Sequence, residues 1–244
     1  RKADCLNLPP KTHIRRVVEP TKEQARLYND LLATGSLETS QGMLTFDTAL
    51  VRDLRLHQLT GGFVATQRTI QTLAEMLRSA TDPGALTEAL SAAPQRSWYE
   101  AEPIPGPNPK IEELKAILDE FPADAKFVIW SRYRAEIEAI AKALEPFGKA
   151  AQFHGGVARE DRDFARRSFQ EDPEVRFFVG QIQTGGIGIT LTAASVEVFF
   201  SNDWSAENRI QAEDRIHRIG QEGDSCLYID LLLRVLHQLR DAGN

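Results

Sequence analysis

Arg215 and Arg218 stand three residues apart in the stretch "QAEDRIHRIGQ", positions 211–221. If this stretch begins as a helix, positions three apart share a face and both guanidiniums aim at one target. A guanidinium stays charged, and its rigid fork of donors suits a phosphate or a carboxylate. Two readings compete here: an anion site, or a solvated helix on which the arginines pair with Glu213, Asp214 or Glu222.

A second candidate is "VGQIQTGGIGITLTAA", which runs from a predicted strand into a predicted helix, where open α/β sheets present ligand sites. Gly185, Gly186 and Gly188 allow backbone amides to approach a phosphate closely. The competing reading is a tight strand-to-helix turn. A dinucleotide fingerprint would need glycine three residues after Gly188, and position 191 is Leu. The phosphate-binding loop of nucleotide hydrolases is also missing, because no Gly-Lys-Ser or Gly-Lys-Thr occurs. Asp119-Glu120 sits on an amphipathic helix and not at the end of an apolar strand, which makes it a poor magnesium holder. This chain alone is therefore expected to be inactive toward ATP.

The elements that must position these residues follow from hydrophobic rhythm. From about residue 106 onward, apolar runs alternate with helical periodicity: "KFVIW" at 126–130, "EIEAIAKALEPF" at 136–147, "AAQFH" at 150–154, a charged helix near 160–170 and "VRFFVG" at 175–180. "VEVFF" at 196–200, a helix near 206–216 and "CLYID" at 226–230 complete the series. Continuous apolar strands separated by helices predict an α/β fold, an open parallel sheet with helices on both faces. "IEELKAILDEF" places Ile111, Leu114, Leu118 and Phe121 on one packing face. Residues 1–105 read as a mainly helical, partly irregular region, with a strand in "THIRRVVEP" and helices in "TKEQARLYNDLL" and "TIQTLAEMLRSA". The stretch "EPIPGPNPK" reads as a stiff extended connector to a domain over 106–244.

Composition sets the class. The chain has 244 residues, 42% of them hydrophobic and 26% charged, which is ordinary globular usage. Its formal charge of −6 argues against a generic nucleic-acid coat but leaves room for a local cationic track. Cys5 and Cys226 give no disulfide framework or metal spacing, which fits a reducing interior. No apolar run is long enough for a membrane span, and "RKADCLNLPPK" does not read as a signal peptide, so an intracellular setting is expected. A start without Met suggests an excised fragment or a processed terminus.

The ordered blocks "KFVIWSRY", "FHGGVAREDR", "FFVGQIQTGGIGITLTAASVEVFFSNDWS" and "NRIQAEDRIHRIGQ" resemble the second RecA-like lobe of superfamily-two helicases, specifically the Swi/Snf-type DNA translocases. The likeness runs from about residue 108 to 231, and "LPPKTHIRRVVEP" and "DLRLHQLTGGFV" look like that family's lobe-linking region. The resemblance implies an ATP site between two lobes. The first lobe would supply the phosphate-binding loop and the magnesium carboxylates, and Arg215 and Arg218 would reach across as arginine fingers, with Gln211, Gly186 and Gly188 beside the nucleotide. It also implies double-stranded DNA held by its backbone, through Ser131, Arg132, His154, Gly155, Gln183, Thr184 and Trp204, in a DNA-associated protein that is bacterial, phage-encoded or otherwise intracellular. Two positions depart from the family's pattern: Gln183-Thr184 stands where Lys-Ala is usual, and Thr190 where Asn is common. His154 and Trp204 each have a plain structural alternative, a satisfied core histidine and an aromatic packed for bulk. Arg159, Arg162, Arg166 and Arg167 extend a DNA track or form a solvated helix face with the interleaved acids. The other functional readings are an RNA or single-strand helicase lobe, a non-catalytic binding module, and a nicotinamide-dependent oxidoreductase.

Overall fold

A computed structural model describes residues 8–40, 42–46, 48–67, 99–184 and 188–234. In chain order the first elements are β1 (Lys11–Val18), α1 (Lys22–Thr34), β2 (Ser36–Thr39), β3 (Gly42–Thr45), α2 (Ala49–Gly61), β4 (Phe63–Gln67) and β5 (Tyr99–Pro103). Then follow α3 (Pro109–Asp119), β6 (Phe127–Ser131), α4 (Arg134–Leu144), β7 (Lys149–Phe153), α5 (Arg159–Glu171), β8 (Val175–Gln181), β9 (Val196–Phe199), α6 (Ala206–Glu213) and β10 (Cys226–Leu233). Contacts group residues 1–21 with 106–244 as one unit and residues 22–105 as a second.

In the first unit six strands form one sheet, in the order β1-β10-β9-β6-β8-β7, with every neighbouring pair parallel. Parallel strands need crossovers, and the intervening helices cover both faces. Alternation assigns the faces: Phe127 and Ile129 of β6 join Leu114, Ile117, Leu118, Ile137 and Ile140 of α3 and α4 in one core. Val128 and Trp130 turn the other way, into a core with Ala165 and Phe169 of α5 and Ala212 of α6. The open α/β sheet read from the sequence is therefore present. β1 enters it as an edge strand beside β10, so residues 11–18 lie in this sheet and not with the region that follows them.

Two local expectations are corrected. The helix expected after the glycines is not present over 188–195: there the chain runs through turns to β9, and its backbone bonds distant partners. The Leu191 amide donates to the Arg215 carbonyl at 3.0 Å and the Ala193 amide to Gln170 Oε1 at 3.0 Å. The helix expected near 206–216 stops at Glu213, so Arg215 and Arg218 lie in the turns beyond it.

In the second unit α1 and α2 share a core of Leu27, Leu31, Leu37, Phe46, Leu56, Leu59, Val64 and Ile104. The described residues there form two antiparallel hairpins, β2–β3 and β4–β5, as well as two helices. Thr48 caps α2 by accepting from the Val51 amide at 3.4 Å, and Gly62 closes it at φ 90°, a left-handed conformation that glycine adopts freely. The proline-rich connector is partly folded: Pro103 pairs with Phe63, and the Ile104 amide donates to the Gly62 carbonyl at 3.0 Å. The expected helix in "TIQTLAEMLRSA" lies outside the described residues.

Phe178 is fully buried against Trp130, Phe153 and Phe169, with ring centroids 5.8, 5.4 and 5.6 Å away. Phe178→Ala is expected to lower unfolding stability by about 3–5 kcal/mol, read as a lower urea midpoint with an unchanged slope.

Candidate nucleic-acid and nucleotide interface

The common direction of the strands brings the residues after β6, β7, β8 and β9 to one edge of the sheet. There the interior provides an anchor. Glu136, on the first turn of α4, is buried and accepts from the hydroxyls of Ser131 and Ser201, one at the end of β6 and one just after β9. The amides of Arg132 and Tyr133 join them, donating to Ser201 Oγ at 2.8 Å and to Glu136 Oε2 at 3.4 Å. Lys110, near the start of α3, is 4% exposed and donates to the Phe200 carbonyl at 2.8 Å. Burial pushes its ammonium down to about 8, against the opposing pull of Glu136; burial also drives the Glu136 carboxyl up, against Lys110 and the two serines.

The folded value of Lys110 lies below the ordinary one, so the charged form is disfavoured in the fold. That cost, about 3 kcal/mol, is present below about pH 8 and fades as pH rises through the ordinary lysine range.

Above the anchor the expected DNA-facing residues separate into those at the surface and those beneath it. Ser131 is fully buried and committed to Glu136, Ser201 and Tyr133, so it positions the edge and cannot touch a ligand. Arg132 lies over the Trp204 indole at 4.0 Å, and its Nη1 is buried without a hydrogen-bond partner among the described residues. Trp204 is 58% exposed, so simple core packing does not account for it. Gln183 is exposed and donates to Asp203 Oδ2 at 3.3 Å. His154 is buried, and its Nδ1 accepts from the Gly156 amide at 3.1 Å. Burial, then the facing charge of Arg134, holds the imidazole below its ordinary value, which leaves it neutral at pH 7. Gly155 is exposed with open space where a Cβ would be.

Two residues here escaped the sequence reading. The Gln181 amide group donates to the Arg132 carbonyl at 3.0 Å, and its Oε1 faces the Gly155 amide at 3.4 Å and the Thr184 hydroxyl at 3.5 Å. Asp203 accepts from Gln183, from Asn208 at 2.6 Å and from the Trp204 amide at 2.7 Å. A glutamine at a strand end and an aspartate before a tryptophan carry no spacing signal that would single them out.

The arginine pair lies on a second stretch of the same unit. Arg215 is 7% exposed, its carbonyl receives the Leu191 amide, and its Nε is buried without a hydrogen-bond partner among the described residues. Burial, then the like charge of Arg218, lowers its affinity for the proton. Arg218 is exposed, and its Nη1 donates to the Gly188 carbonyl at 3.4 Å. The two arginines therefore do not share a helix face, but both bond to the segment after the glycines. Two of the three carboxylates proposed as their surface partners are engaged elsewhere: Glu213 pairs with Arg209, Lys11 and His13, and Asp214 with Lys11. Among the described residues no carboxylate pairs with Arg215 or Arg218. Gln211 does not join them; it donates to Glu207 one turn back, at 3.1 Å. Gly186 lies outside the described residues. No group of described residues is suited to hold a metal ion, and no described helix is long and apolar enough to cross a membrane. A hollow of about 1530 Å³ lies along β7, between α4 and α5, and includes none of these residues.

The first unit is an open α/β domain, a six-stranded parallel sheet with helices on both faces. Residues 109–220 match the helicase conserved C-terminal domain family. The chain is 25% identical over 224 residues to the DNA repair and recombination protein RDH54 of Saccharomyces cerevisiae, covering 91% of this chain and 22% of that protein. It is 29% identical over 121 residues to the helicase SWR1 of Candida albicans, covering 49% of this chain and 7% of the relative. The chain thus spans less than a quarter of the length of these relatives. Among solved structures, the C-terminal part of the Fun30 ATPase domain matches 93% of this chain and 87% of its own, with a TM-score of 0.61 at 18% identity. The SWI2/SNF2 ATPase core of Sulfolobus solfataricus in complex with dsDNA matches 96% of this chain and 43% of its own, with a TM-score of 0.53 at 21% identity. At these identities the likeness is one of fold.

α6 is fixed from below by Arg209, which pairs with Asp230 at 2.5 Å and Glu213 at 3.0 Å, donates to Asn202 Oδ1 at 2.9 Å, and lies 3.4 Å over the Phe199 ring. Burial acts to raise the Asp230 carboxyl, but the bonds from Arg209 and Asn202 outweigh it and leave it below the ordinary value. Its contribution is therefore full above the unfolded carboxylate range and is lost as pH falls through the folded value. Arg209→Ala is expected to cost about 3 kcal/mol at pH 7 and to flatten the acid limb of stability below about pH 4, as measured by urea unfolding across pH.

Proposed function

We propose that this chain is the second motor lobe of an ATP-dependent double-stranded DNA translocase. The observation that carries the reading is the arginine pair. Arg215 and Arg218 are bonded to the segment after the glycines and lack carboxylate partners among the described residues, so their charge is available to an incoming anion. Phosphoryl transfer is accelerated mainly by positioning and charge stabilisation, and an arginine supplied from outside the phosphate-binding loop suits that task. Arg218, exposed, takes the role of the finger on the ATP γ-phosphate. Arg215, mostly buried, supports the same surface, with Gly186 and Gly188 allowing close approach; Gln211, bonded to Glu207, takes no part.

The phosphate-binding loop and the ligands of magnesium are assigned to a first RecA-like lobe elsewhere in the parent protein, and residues 22–105 to the region that links the lobes. Duplex DNA is assigned to the strand-end edge. Arg132 provides the charge, the Gly155 amide and the Gln183 and Thr184 side chains provide neutral donors, and Trp204 provides an exposed aromatic. Contacts of this kind grip a backbone without reading sequence. The likeness to a Swi/Snf core solved with dsDNA supports duplex DNA as the track. Closure of the two lobes on ATP and reopening after hydrolysis would shift this grip along the backbone, as hinge closure does in other motors.

The test is ATP hydrolysis with and without duplex DNA, by this chain and by the intact parent with and without Arg218→Ala. The expected outcome is an inert fragment, a DNA-stimulated parent and a variant slowed by at least ~10²-fold. An unchanged rate in Arg218→Ala would sink the finger assignment and favour a binding module. Arg132→Ala is expected to weaken DNA binding and to shallow its salt dependence by about one phosphate contact, read from binding titrations at several salt concentrations.

A further inference from the structure

The anchor beneath the strand-end edge contains a buried cation that the proposed DNA grip does not use. A lysine in an apolar interior is rarely kept without a partner, because desolvation disfavours its charge. Lys110 is 4% exposed, and its two polar neighbours both belong to the edge: the Phe200 carbonyl at 2.8 Å, and Glu136, whose charge opposes the loss of its proton. The Phe200 ring lies 5.4 Å below the ammonium. Phe200 starts the segment that carries Ser201, Asn202, Asp203 and Trp204, and Glu136 holds the hydroxyls at both strand ends.

We propose that Lys110 is a positioning residue: by holding Phe200 and facing Glu136 it locks the segment after β9 to the segment after β6, setting Arg132 against Trp204 before DNA arrives. The part of this that concerns DNA rests on the reading of the edge as a backbone grip; the lock itself does not. Its most direct reporter is the Arg132 amide, which donates to Ser201 Oγ at 2.8 Å, across the two segments. Lysine at 110 also ties the edge to the first turn of α3, at the end of the proline-rich connector. A grip of long side chains on a rigid floor loses less entropy on binding than one on loose loops, so the lock acts on affinity more than on turnover.

The test uses Lys110→Met, which keeps the stem and removes the charge, with Lys110→Gln as a second variant should Met fail to fold. In this chain, amide hydrogen exchange at Arg132 is expected to speed up by at least ~10-fold while amides in the centres of β6 and β8 change less than about twofold. In the intact parent, the duplex DNA concentration giving half-maximal ATPase is expected to rise by about tenfold, with the DNA-free rate unchanged. An Arg132 amide that exchanges as in the wild type, or acceleration spread evenly over the whole sheet, would overturn the lock. A parent without any DNA stimulation would defeat the grip reading instead, and the exchange result would still stand or fall by itself.

Discussion

One buried carboxylate organises the edge on which everything else depends. Glu136 holds Ser131 and Ser201 at once, and these close the ends of neighbouring strands, β6 and β9. A carboxylate out of water is costly; here two hydroxyls and a backbone amide all donate to Oε2, Oε1 is buried without a hydrogen-bond partner among the described residues, and the charge of nearby Lys110 opposes the penalty of burial. Without them the segments bearing Arg132 and Trp204 would be joined only by their own strands. The stability cost of burying Lys110 falls beside a ligand edge, where structures commonly give up stability for arrangement.

The sheet imposes the second constraint. Because every strand pair is parallel, the chain must leave each strand at the same edge and return over a face, so residues separated by up to about seventy positions meet without any loop having to reach for another. Ser131 and Ser201, Arg132 and Trp204, and Gln183 and Asp203 are such meetings. Arg215 and Leu191 are brought together by a different device. The exit from α6 crosses back over the segment preceding β9, and its carbonyl takes the Leu191 amide that a helix would otherwise have satisfied within itself.

The fold was legible because its signal is periodicity. "KFVIW", "VRFFVG" and "VEVFF" are apolar on both faces, and α5 buries only Ala165 and Phe169 among thirteen mostly polar residues, which is what a surface helix on a parallel sheet shows. Failures fell where tertiary bonds replace local ones. The stretch after the glycines has helix-compatible residues, yet Leu191 and Ala193 are claimed by Arg215 and Gln170, partners invisible to a local pattern. The arginine pair is a proposal from residue type and spacing, and the reason given for it, a shared helix face, does not hold past Glu213. Ser131 was placed correctly at the edge and on the wrong side of its surface, since spacing gives a position along a strand but not which groups lie above it.

The Gln183-Thr184 pair has a physical reading in this setting. Gln183 donates to Asp203, and Asp203 also receives Asn208 and the Trp204 amide. Burial acts to raise the Asp203 carboxyl, but these donors outweigh it, so it is ionised at neutral pH and adds a negative charge close to Arg132. A lysine at 183 would be drawn onto that carboxylate and away from a phosphate, whereas a neutral glutamine satisfies Asp203 and still has its amide oxygen and second N–H for other use. The cation at this edge is then Arg132, whose planar group can remain stacked on an indole while its outer donors face a phosphate, an arrangement that an ammonium on a flexible stem does not reproduce. The charge proposed to grip the backbone thus sits on the strand-end loop tied to Glu136.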